Sequence, residues 1–250
     1  MKILFKLITL VFLVVGTVSC SAFFEGEISS VSYSLKEGSK KILNDSGDVL
    51  LDFKVSYPII DNDKNKNTIA TINDYNEAKA EKYKAWVLSE GVDFADSDFE
   101  FCRTNDIPYL FHIYQSVTKI TYNADGFLSI LWVFDESTGG AHPTTKWSSE
   151  VFDLNSGKVM TLSDIMGLKE KEALSKIFSL VEEQIESMKY KADFWFFDDY
   201  EVRIAHEFNI KDFILTENSL RVYYQLYTLA PYSAGIQCFD IPLTETAVKR

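Results

Sequence analysis

Apolar and polar residues alternate most regularly in the middle of the chain. In PYLFHIYQSVTKITYN (108–123) and FLSILWVFDEST (127–138), β-branched and aromatic residues recur at alternate positions, which predicts two strands. Asp125-Gly126 between them predicts a hairpin, because a two-residue turn needs positive φ at its centre. In the second run Leu128, Ile130, Trp132 and Phe134 share one face, and Phe127, Leu131 and Val133 the other. That strand is expected to be covered on both sides.

Weaker patterns fill in the rest. VSYSL begins a first strand, and VLLDFKVSYPII (49–60) reads as a second, with Pro58 suited to its end. DNDKNKNT (61–68) reads as a loop. A helix is expected from Asn73, a capping residue, to Gly91, with Ile72, Tyr75, Tyr83 and Trp86 on one face. Residues 91–107 look acidic and irregular. KWSSEVFDL (146–154) is a further strand, closed by a turn at Asn155-Ser-Gly157. Thr161 or Ser163 caps a helix whose stripe is Leu174, Ile177, Phe178, Val181, Ile185 and Met188. Residues 192–208 are expected to be partly helical. Residues 213–243 hold two or three strands, with a turn at Glu217-Asn-Ser219 and a break at Pro231. Strands and helices come in blocks, so the expected class is α+β: antiparallel sheets with packed helices, in two small subdomains.

The first residues change the picture of where the protein works. MKILFKLITLVFLVVGTVSC combines Lys2 and Lys6 with an apolar run and small residues, an export signal over 1–19. Its apolar stretch is shorter than the about 20 residues of a membrane span. Cys20 after small residues resembles a bacterial lipoprotein cleavage site, although Thr17 stands where Leu is usual. Lipidation of Cys20 would hold the protein outside the cytoplasm, with the membrane touched only through that lipid. A polar tether over 20–30 would follow.

Charge then excludes classes of partner. The chain carries a formal −12, and loss of residues 1–19 would take it to −14 by removing Lys2 and Lys6. No nucleic acid is expected to bind, and a cationic partner is favoured. Cys102 and Cys238 could pair in an oxidising compartment or remain small buried hydrophobes.

Candidate chemistry is sparse. His142 lies in GGAHPTT (139–145), where it could act as a general base or fix the connection by bonding backbone. His112, His142 and His206 are far apart, with no H-E-x-x-H or C-x-x-C pattern, so neither metal nor cofactor is expected. Asp198 and Asp199 follow Phe194, Trp195, Phe196 and Phe197, a cluster that suits a core or a stacking surface. Tyr223 and Tyr227 are expected on one strand face, with Tyr224 on the other.

Three stretches together carry a resemblance. GGAHPTT, EVFDLNSGKVMTLSDIM (150–166) and the late Tyr227-to-Gly235 run YTLAPYSAG resemble the RsiV-like C-terminal domain. SYPII (56–60) and Ile72-Asn73 are similar to the deacetylase-associated domain that precedes it. Such pairs form the extracellular part of a lysozyme-sensing anti-sigma factor and occur in bacterial lipoproteins. The resemblance covers about residues 30–243 and implies an N-terminal α+β domain over 31–140 and the RsiV-like domain over 141–250, joined by GGAHPTT. It implies a binding role, toward a cationic protein such as lysozyme or toward cell-wall glycan. Ligand contacts are expected at His142, Tyr227 and Tyr232. The alternative is a polysaccharide-modifying enzyme with His142 as general base.

Overall fold

In the computed structural model, residues 28–189 and 195–248 are described. The expected export signal (1–19), Cys20 and Phe194 lie outside these residues. Five strands form one sheet in the order β1 (Ser32–Leu43), β2 (Val49–Asp61), β3 (His112–Ala124), β4 (Phe127–Ser137) and β5 (Thr144–Asp153). Three more form a second sheet, β6 (Phe213–Leu215), β7 (Ser219–Tyr224) and β8 (Gln237–Pro242). Every pairing is antiparallel except β2 with β3. The α+β class therefore holds, with one parallel pair the sequence reading did not anticipate.

The β3–β4 hairpin turns where Asp125-Gly126 predicts. Ala124 pairs with Phe127, and Asp125 and Gly126 adopt φ 53° and 82°. Leu128, Ile130 and Trp132 enter a core under the helices that follow β2. Leu131 and Val133 point the other way and meet Ile214 and Tyr223 of the second sheet. The double coverage expected of β4 is present. Of the expected tether (20–30) only 28–30 lie among the described residues, and there Ile28 is buried, its N–H donating to Asn155 Oδ1 at 2.7 Å.

The crossover from β2 to β3 departs most from expectation. Helix α1 runs Lys66–Trp86, seven residues earlier than Asn73. Its buried stripe is Ile69, Ile72, Asn76 and Ala80, so the helix starts inside the run read as a loop (61–68) and its first core residue follows that run directly. Asn73 caps nothing. Its amide grips the edge of β2, accepting from Ile60 N at 2.7 Å and donating to Ile60 O at 2.9 Å. β3 pairs with β2 only through Val55, and helix amides serve the backbone beyond it. The helix does not stop at Gly91 either: a π-helical turn (Val87–Gly91) leads into α2 (Val92–Thr104), so 91–104 is helical.

The capping prediction at Thr161 is right, but the helix is divided. Thr161 and Asp164 form a reciprocal cap on the short α3 (Leu162–Met166). Gly167, at φ 66°, ends it before α4 (Glu170–Met188) begins. Ile177, Val181 and Ile185 of α4 pack on Val222, Tyr224 and Phe239 of the second sheet. Helix α5 (Tyr200–His206) supplies the helical part expected in 192–208. β7 stops at Tyr224, so Tyr227 is not on a strand face with Tyr223.

GGAHPTT is the β4–β5 connection within the first sheet, so it turns between neighbouring strands of one sheet and does not lead from one sheet to the other. The boundary expected at 140/141 falls inside that connection. None of the helices among the described residues is long and apolar enough to cross a membrane.

Candidate functional site

His142, Tyr227 and Tyr232, separated by up to 90 residues in sequence, meet at one end of the first sheet. The His142 imidazole stacks on the Tyr232 ring, with centroids 3.6 Å apart and planes 13° from parallel. Its Nε2 lies 3.3 Å from the Tyr227 hydroxyl. The Tyr232 hydroxyl donates to Pro143 O at 2.8 Å, tying the loop after β7 to GGAHPTT. Tyr227 stands at φ 63°, a rare conformation for a bulky residue, and its side chain is half exposed. What surrounds His142 is aromatic. Among the described residues its ring bonds only the Tyr227 hydroxyl, with no carboxylate to orient it as a general base would need.

A larger feature was not anticipated. Between α1 and the edge strand β5 runs a groove of about 710 Å³, within the size of small-molecule sites. α1 contributes Tyr75, Lys79, Lys82, Tyr83 and Trp86, the helix face beside its buried stripe. β5 contributes Lys146, Ser148 and Glu150, its alternate residues, while Trp147 and Ser149 turn to the second sheet. Phe134 and Glu136 of β4 complete the lining.

At the bottom of the groove lies an ion pair shielded from water. Lys79 Nζ is 2.5 Å from Glu150 Oε1, donates to Ser148 Oγ at 2.8 Å, and sits 5.0 Å from the Trp132 ring centroid. Burial pulls the Lys79 pKa down, opposed by the Glu150 charge. The Tyr75 hydroxyl donates to Glu150 Oε1 at 3.1 Å, and burial with that carboxylate pushes its pKa up to about 12. Burial raises Glu136, with Lys146 acting against it. Two buried atoms of lining residues, Tyr83 Oη and Glu150 Oε2, make no hydrogen bond with the described residues. Such atoms are costly to leave unpaired.

The remaining candidates disperse. Cys102 and Cys238 are both free. His112 is fully buried, with Nε2 3.2 Å from Asp98 Oδ2 and Nδ1 unbonded among the described residues. His206 is exposed beside Glu207. Asp199 is held by Arg203, whose guanidinium lies over Phe197, while Phe196 joins the core and Trp195 stays exposed. No metal-ligating group of three or more exists among the described residues.

The comparisons divide the chain in two. Residues 44–145 match the family described as Deacetylase PdaC. Residues 163–244 match the family described as Protein of unknown function (DUF3298). The chain is thus similar to the first family over its earlier part and to the second over its later part. The groove is built almost wholly from the first, with β5 completing it, and Tyr227 and Tyr232 come from the second. A crystal structure of a DUF3298 family member from Bacteroides fragilis is similar, with TM-score 0.67 at 16% identity, covering 88% of this chain and 93% of that one. A DUF3298 protein from Pseudomonas aeruginosa gives TM-score 0.60 at 15% identity, covering 88% and 94%. These likenesses concern the fold. The curated proteins gave no match.

Proposed function

We propose that this protein is a cell-envelope binding protein, held outside the cytoplasm by lipid on Cys20, that takes up cell-wall glycan in the groove between α1 and β5. The groove itself carries the reading: the rings of Tyr75, Trp86 and Phe134 lie beside lysine, serine and glutamate side chains, the combination a sugar chain satisfies with its apolar ring faces and its hydroxyls. His142, Tyr227 and Tyr232 form a second contact surface at the end of the same sheet.

The enzyme alternative has less support. His142 stacks on a tyrosine, and its deletion would remove a contact. The two carboxylates of the groove are also badly placed for glycoside hydrolysis. Glu136 pairs with Thr144, six residues along β5 from Glu150. Those backbone positions are roughly 20 Å apart, against the roughly 5–10 Å that separates working carboxyl groups. A lysozyme-type hydrolase remains a second proposed ligand, favoured by the formal charge of −12, which would speed encounter with a basic enzyme.

Calorimetric titration tests both. The protein is titrated separately with soluble wall fragments and with a C-type lysozyme, the latter at two salt concentrations. Fragment binding that disappears in Trp86→Ala supports the groove. Lysozyme binding that weakens with salt supports the second ligand. Absence of heat with both would sink the binding reading.

A further inference from the structure

Resting on the reading of the groove as a glycan site, we infer that it selects a saccharide carrying an anionic group. The observation is a reversal of charge. In a chain of formal −12, the groove is lined by three lysines and two glutamates. Lys79 and Glu150 neutralise each other at the bottom. Two exposed amines are left, Lys82 on α1 and Lys146 on β5, and neither forms an ion pair among the described residues.

The two lysines stand on opposite walls, so an anion between them is attracted from both sides. Glu136 is the other carboxylate of the lining, and the field of Lys146 acts on it and, outside the lining, on Asp212. The aromatic faces fix the rest of the ligand. Tyr75 and Trp86, each more than a third exposed, are eleven residues apart on α1, about 16 Å along the helix axis. That length suits a short run of sugar rings better than a lone monosaccharide. A bare inorganic anion would leave the aromatic faces uncovered, and a neutral sugar would leave both lysines unpaired.

A uronic acid and the lactyl carboxylate of a muramic sugar share this chemistry. The test therefore compares chitotriose, trigalacturonate and a wall disaccharide containing muramic acid, by calorimetry at low salt, in the wild-type protein and in a Lys82→Gln/Lys146→Gln variant. Both substitutions are at exposed positions, and an unchanged urea midpoint verifies that the fold is intact. At least one acidic ligand is expected to bind roughly tenfold more tightly than chitotriose, as two rim charges can supply, with the advantage lost in the double variant. The preferred acid identifies the source. Equal affinity for neutral and acidic ligands would overturn charge selection and leave the glycan site standing. An acidic preference that survives in the double variant would overturn the assignment to these lysines. No binding of any of the three, with Trp86→Ala indistinguishable from wild type, would remove both this inference and the glycan reading.

Discussion

The His142 imidazole lies flat on the Tyr232 ring while its Nε2 faces the Tyr227 hydroxyl. A side chain held by its face serves through shape, so a ring without nitrogens should replace it. His142→Phe is expected to keep ligand affinity within about twofold of wild type, whereas His142→Ala weakens it by roughly five- to tenfold, the worth of one aromatic pair. Titration against the ligand found above measures this. Turnover of a wall polysaccharide that vanishes in His142→Phe would instead establish a proton-transfer role.

Lys79 and Glu150 give a sharper energetic signature. Their side chains are 18% and 8% exposed, so removing one charge strands the other away from water. Lys79→Met should cost about 3 kcal/mol, and Lys79→Met/Glu150→Leu should recover much of that loss. Urea unfolding of the two single variants and the double closes the cycle. A double variant no more stable than Lys79→Met would refute the stranded-charge account.

Asp164 sets a limit on acid stability. The Lys158 ammonium, the Thr161 N–H and then the Thr161 hydroxyl hold its pKa at about 2, below the ordinary carboxylate value. A depressed acid stabilises the fold above its unfolded pKa, near 4, and the benefit is lost as pH falls through about 2. With the side chain partly exposed, the contribution at pH 7 is about 1 kcal/mol. Asp164→Asn should lower the urea midpoint at pH 7 and have little effect at pH 2.

Gly167 combines two demands. Its φ is 66°, and a Cβ there would stand 2.8 Å from Ala247 Cβ. Gly167→Ala is expected to destabilise by about 2 kcal/mol, part backbone strain and part collision. Adding Ala247→Gly should relieve only the collision. Thermal melts of the single and double variants separate the shares.

Where sequence and structure agree, the signal was local. The Asp-Gly turn and the alternation on β4 specify the hairpin through neighbours in the chain. The stripe of α4 likewise announces itself by spacing. α1 was misplaced because its buried positions are filled by Asn76 and Ala80 where a large apolar residue would mark a core face. Asn73 looked like a cap because capping and gripping a strand edge use the same side-chain amide. α2 was hidden by its acidity, with only Ala95 and Cys102 buried. His142, Tyr227 and Tyr232 were singled out by composition, but only the folded loops bring them together. The groove escaped because its walls lie more than 50 residues apart. Its trace was present in the stripe Tyr75, Lys79, Lys82 and Trp86, and in the polar alternation Lys146, Ser148 and Glu150.

The lone parallel pairing has a consequence in time. β2 reaches β3 only across fifty intervening residues, while β3 and β4 are joined by two. Closing the long segment carries the larger entropic barrier, so the hairpin can form on the microsecond scale and wait for β2 and its helices to arrive. The groove is complete only after that arrival, because α1, one of its two walls, lies inside the crossover, while β5 pairs with the hairpin. During refolding, binding competence should therefore emerge with the slowest phase, after the amides of the hairpin are already protected from exchange.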